Sequence, residues 1–165
     1  MDSDFKYAGW TMSYASEAFM KFKHDELFAA DALLLGRITY DGFAAAWPTM
    51  TNAGDFGERM NNLPKYVVSK TSTDLEWNNS KLISVDEIAK LKQQPGKDIL
   101  VFGSGILTQT LMERTLVDEY RLLVYPVVLG IGKRLFKEGV NATLRLVENK
   151  EIGKGVVLLR YQPAT

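Results

Sequence analysis

The stretch with the clearest chemical potential is Ile99-Leu100-Val101-Phe102-Gly103-Ser104-Gly105-Ile106-Leu107-Thr108-Gln109-Thr110-Leu111. Four apolar residues, a Gly-Ser-Gly turn and a run with apolar positions at Ile106, Leu107 and Leu111 predict a buried strand, a tight turn and an amphipathic helix. Glycines at 103 and 105 are expected to take φ > 0 and to admit a ligand without a Cβ in the way. The helix that follows directs unpaired N–H groups and the positive end of its dipole at that ligand, an arrangement that suits a phosphate. The third glycine of a G-x-G-x-x-G fingerprint would fall at Thr108, so a Rossmann dinucleotide fold is disfavoured.

Two further groups of residues are placed to meet anions. Asp31 to Leu35 is a short apolar run ending at Gly36-Arg37-Ile38-Thr39-Tyr40, after which Ile38, Phe43 and Ala46 continue at helical spacing. Arg37 then stands at a helix N-terminus, where a cation opposes the dipole unless an anion binds. Pro64 to Lys70 reads as a strand rich in β-branched and aromatic residues. Ser69 and Lys70 lie at its C-terminal end, the edge where open α/β sheets hold ligands, although exposed Ser and Lys are common there without a function.

The remaining pattern supplies the frame. Residues 15–30 predict one or two amphipathic helices with Ser16 as N-cap, and His24 among charged neighbours is given a solvated or capping role. Asp55 to Leu63 reads as a short helix, Trp77 to Val85 contains a strand, and Asp86 to Leu91 opens a helix with acids in its first turn. Val117 to Tyr125, Thr143 to Val147 and Val156 to Tyr161 are β-rich, the last two forming a hairpin. Serial strand-then-helix units call for a mostly parallel sheet flanked by helices, and the tail adds an antiparallel C-terminal hairpin, giving a mixed sheet.

The chain of 165 residues is expected to be a single domain, residues 1–165, with no linker. Lys+Arg 20 balance Asp+Glu 20, which gives no sign of nucleic acid or an anionic membrane as partner. With no cysteine, a disulfide framework and thiolate metal sites are excluded, one histidine argues against a His-based zinc site, and a cytoplasmic protein is the expectation. No signal-peptide core or membrane-length apolar run is present.

Taken together, Leu35-Gly36-Arg37-Ile38-Thr39-Tyr40, Val67-Val68-Ser69-Lys70, Phe102-Gly103-Ser104-Gly105 and Pro126-Val127-Val128-Leu129-Gly130-Ile131-Gly132-Lys133-Arg134-Leu135-Phe136 resemble the dihydrofolate-reductase-like family. The chain is most similar to the small proteins related to the reductase domain of the riboflavin-biosynthesis deaminase-reductase. The resemblance implies an α/β fold that binds NADPH across its strand ends and presents the nicotinamide to a pterin-like or pyrimidine-like substrate. It places Phe102, Gly103, Ser104, Gly105, Ile106 and Leu107 at the cofactor, from Gly103 onward at the pyrophosphate turn and helix start. Gly36, Arg37 and Thr39 match the second phosphate site, and Ser69 and Lys70 match the edge that holds the adenine ribose and its 2′-phosphate.

NADPH is expected over NADH, because Arg37 and Lys70 supply two cations there and no nearby acid is placed to take a free 2′-hydroxyl. No catalytic acid is assigned: Glu17 and Asp25 are the nearest candidates, and a solvated face suits both. A non-catalytic nucleotide-binding or dimer-scaffold protein is the competing reading. The apolar C-terminal strands imply a homodimer. Seven strands are counted against the family's eight. With the family's first strand missing, either the neighbouring strands close up, another segment fills the slot, or the chain is a shortened form of a longer product; the shortened form, held by sheet rearrangement or strand exchange and weak or inactive as a reductase, is the expectation.

Overall fold

A computed structural model describes residues 6–69 and 74–164. The chain divides into two compact units, His24–Leu111 and a second made of Met1–Lys23 with Met112–Thr165. Among the described residues there are seven strands, and they coincide with the seven runs expected from sequence.

The His24–Leu111 unit holds an all-parallel sheet. Its strands are β1 (Ala30–Gly36), β2 (Lys65–Val68), β3 (Ser80–Ile83) and β4 (Asp98–Leu100), in the order β3-β2-β1-β4. The central position of β1 explains its unbroken apolar run: Leu33, Leu34 and Leu35 are all buried, as a strand covered on both faces requires. Helices α2 (Arg37–Ala46), α3 (Gly54–Asn62) and α4 (Val85–Lys92) connect the strands. Helix α4 starts in a capping box, with Glu87 accepting from the Ser84 backbone N–H and hydroxyl at 2.9 and 2.7 Å.

The other unit contains a three-stranded antiparallel sheet of β5 (Tyr120–Val124), β6 (Leu144–Glu151) and β7 (Val157–Pro163), in the order β5-β7-β6. The β6–β7 hairpin is the one expected. The antiparallel strands form a sheet of their own, since among the described residues β5 pairs with β7 and β4 with β1. Helix α1 (Glu17–Phe28) is a single helix, and Ser16 caps it: its Oγ accepts from the Phe19 N–H at 3.1 Å and donates to the Ile152 carbonyl at 3.0 Å. Glu17 and Asp25 are exposed, as expected, whereas Glu26 is the buried acid of this helix. His24 lies 3.0 Å from Asp55 and stacks on Phe28, an exposed pairing that holds the Asp55 carboxyl below its ordinary range.

Lys65, the first residue of β2, is fully buried. Its Nζ donates to the carbonyls of Asn61, Leu63 and Asn78 at 2.8, 2.8 and 3.0 Å and sits 4.2 Å from the centre of the Trp77 ring. One ammonium thus satisfies two carbonyls where α3 ends and β2 begins and a third just before β3. Burial pushes its pKa down from 10.5 to about 8. Between those values the unfolded chain holds a proton that the folded chain has released, so this group adds stability as pH rises from 8 to 10.5 and adds no further slope below 8. Lys65→Met should lose at least about 2 kcal/mol through its stranded carbonyls. In urea titrations, the stability gap between wild type and Lys65→Met should widen over that pH window. A gap that stays flat or shrinks there contradicts the assignment.

Candidate functional site

The parallel register brings the three suspected segments to one edge. Gly36 pairs with Val68, so Arg37 and Ser69 leave the C-terminal ends of β1 and β2 side by side. Leu33 pairs with Leu100, and the chain beyond β4 runs into Gly103 at the same end of the sheet. Lys70 lies outside the described residues.

Ser104 joins two of these segments. Its hydroxyl oxygen accepts from the Gly36 N–H at 3.0 Å and lies 2.9 Å from Thr39 Oγ1 and 3.2 Å from the Phe102 carbonyl, to either of which it can donate. The side chain reaches these partners because Gly103 and Ser104 both adopt left-handed backbone, with φ of 56° and 55°. This corrects the expectation from sequence: Ser104, and not Gly105, is the second residue of positive φ. Its bonds to the neighbouring turn at Gly36 and Thr39 and to Phe102 in its own turn hold a non-glycine residue in that conformation. For the same reason β4 ends at Leu100, with Val101 to Ser104 leaving the ladder to form the turn.

Gly105 opens helix α5 (Gly105–Glu113), and a Cβ added there would meet nothing within 4 Å. The space in front of the helix start is open, and the N–H groups of its first turn have no acceptor within the helix. Ile106 is exposed at 71%, whereas Leu107 is buried and Phe102 packs on the core with its ring 6.2 Å from Phe43. The side chains of Phe102 and Leu107 therefore belong to the core.

Arg37 is the first residue of α2, whose N-cap, Gly36, offers no side-chain cap. The Arg37 Nε donates to Asp41 one turn on, 2.8 and 2.9 Å from its two carboxylate oxygens, and the guanidinium lies 5.8 Å from the Tyr40 ring centre. Asp41 is thus an acid beside Arg37, and its i,i+4 spacing was readable in the sequence. The Arg37 Nη1 is buried with no hydrogen-bond partner among the described residues. A buried donor without an acceptor costs on the order of 1–3 kcal/mol, which a bound anion would remove.

A four-stranded parallel sheet with its connecting helices and an antiparallel hairpin sheet define an α/β protein of dihydrofolate-reductase-like fold. The RibD C-terminal domain matches residues 1–158, and the chain belongs to that family, one of reductase type. It is 34% identical over 146 residues to the uncharacterized Bacillus subtilis protein YyaP, covering 83% of this chain and 76% of YyaP. In structure it resembles a Shewanella sp. PV-4 protein named for riboflavin biosynthesis, at a TM-score of 0.69 and 22% identity over 94% of this chain and 87% of that one. Acinetobacter baumannii RibD gives 0.59 at 16% identity; 92% of this chain is covered, but it spans only 52% of RibD's length. Enterococcus faecalis dihydrofolate reductase, solved with NADP(H), gives 0.58 at 15% identity, covering 92% and 84%. No helix among the described residues is long and apolar enough to cross a membrane.

Ser104→Ala should leave the Gly36 N–H without its acceptor at a cost of about 1–3 kcal/mol. At roughly 2–4 °C per kcal/mol for a domain of this size, thermal unfolding should show a fall of several degrees. An unchanged melting temperature would mean that the hydroxyl does not tie the two turns together.

Proposed function

We propose that the chain is an NADPH-dependent reductase that delivers hydride to a pterin-like or pyrimidine-like heterocycle. The observation that carries this reading is the buried, unpartnered Arg37 Nη1 beside the uncapped start of α2, on the same strand edge as the open start of α5. Family membership adds the reductase class. The residues present fit a dinucleotide diphosphate. Gly103 to Leu107 would meet the pyrophosphate with first-turn N–H groups, and Gly36, Arg37 and Thr39 would form the second phosphate site, where Arg37 would face the adenosine side and its 2′-phosphate. Ser69 and Lys70 would hold the adenine ribose and its 2′-phosphate. The cofactor, when bound, supplies the hydride; the task of these residues is to fix its position.

Titrations of NADPH and NADH test the reading. Charge-assisted contacts contribute about 1.5–3 kcal/mol each, so Arg37→Ala should weaken NADPH by roughly tenfold or more and leave NADH nearly unchanged. Gly105→Ala places a methyl group in open space, so it should preserve the melting temperature while weakening both cofactors. Equal losses of both cofactors in Arg37→Ala refute the 2′-phosphate assignment. NADPH oxidation at 340 nm across pterins, pyrimidines and quinones separates a reductase from a protein that binds the cofactor without turnover.

The reading includes a homodimer built partly from the C-terminal strands. Strand β6 is an edge of its sheet, and Leu146, Val147, Val124 and Val128 are exposed, Val128 at 95%. Long edges with apolar side chains invite pairing. Light scattering at micromolar concentration should give twice the monomer mass, and a monomer mass there would count decisively against it.

A further inference from the structure

Arg37 is held on two sides by residues to which the cofactor reading gives no role. Its Nε lies 2.8 and 2.9 Å from the two carboxylate oxygens of Asp41, one turn further along α2. Its guanidinium carbon lies 5.8 Å from the centre of the Tyr40 ring. That ring is itself fixed: Tyr40 is buried, its hydroxyl accepts from the Trp77 N–H at 3.0 Å, and Trp77 Nε1 donates in turn to Asn61 Oδ1 at 2.7 Å. The guanidinium therefore has a rigid floor and a carboxylate at its Nε end.

Neither helix stability nor charge accounts for Asp41. Its side chain is 51% exposed and that of Arg37 is 32% exposed, and an i,i+4 pair so open to water contributes little to a helix. Asp is also among the weaker helix formers. Beside a phosphate site, a carboxylate opposes the anion by its field. What the pair does fix is direction: a guanidinium is a planar fork, and gripping it at Nε leaves the Nη end to meet a ligand.

We propose that Asp41 is a positioning residue: acting through Arg37, it holds the guanidinium over Tyr40 with the Nη end presented to a phosphate. This role rests on the assignment of Arg37 to the cofactor's 2′-phosphate. Because the arginine is ordered before the anion arrives, binding does not bear the loss of its rotamer freedom. The gain is one of geometry, set against the unfavourable charge of Asp41.

Asp41→Asn and Asp41→Ala remove the same charge and differ in whether an oxygen is left for Nε. In titrations of the full chain, Asp41→Asn should bind NADPH roughly two- to tenfold tighter than Asp41→Ala, the range set by ordering one long side chain, while the two variants bind NADH alike. A role in helix stability alone gives the reverse order, since Ala is the better helix former. Charge opposition alone gives no difference. In the ligand-free chain, NMR of the Arg37 Nε–H group should show slower exchange with solvent in the wild type and Asp41→Asn than in Asp41→Ala. Equal NADPH binding by the two variants, the reverse order, or equal exchange in all three chains overturns the proposal. Where the wild type still prefers NADPH to NADH, such a result removes the role of Asp41 alone; a wild type without that preference removes the 2′-phosphate assignment, and this role with it. Thermal unfolding followed by circular dichroism confirms that the variants compared are folded.

Discussion

The hydrogen bond from the Gly36 N–H to the Ser104 hydroxyl is the contact on which the candidate site depends. Adjacent parallel strands present their C-terminal ends at the same edge, but a shared edge does not fix two independent turns relative to each other. Residues 36 and 104 are 68 positions apart, and one side chain closes that gap. To reach Gly36 and Thr39 together, Ser104 accepts a left-handed backbone that L-residues ordinarily avoid, at a cost of order 1 kcal/mol or more. Strain at this position and order at the neighbouring turn have one cause.

Most of the fold was legible because the strong signals are periodic and local. The apolar run of β1 announced a strand covered on both faces, and the acids before Leu91 announced the start of α4. What could not be read were the long-range partners. Nothing local marks Lys65 as a fully buried staple, since a lysine opening a strand is ordinarily exposed; three carbonyls from two different segments decide its place. Glu26 was passed over for a similar reason, lying between exposed Asp25 and buried Leu27. The positive φ at Ser104 runs against residue type, which favours glycine, and so was misplaced by one residue.

The site residues fared unevenly along the same line. Gly36, Arg37, Thr39, Gly103, Ser104 and Gly105 converge because they flank strands whose pairing is fixed by register. Phe102 and Leu107 belong to the motif by position, yet their side chains turn to the core; the motif there records a packing requirement of the strand–turn–helix unit as much as a ligand contact. Ile106, between buried Leu107 and the open start of the helix, is the apolar side chain of this turn left in water.

Arg37 shows how charge is divided in such a site. Its Nε is committed to Asp41 through an i,i+4 pair on an exposed helix turn, the kind that contributes only a few tenths of a kcal/mol to a helix. So weak a pair does little for stability, but it fixes the plane of the guanidinium, and with the Tyr40 ring beneath it aims the remaining nitrogens. Nη1 is thereby held in a buried position without an acceptor. An arginine free to rotate would find water instead. The arrangement gives up some folding energy to keep a donor preorganised, which lowers the ordering cost that any anion arriving at the head of α2 would otherwise bear.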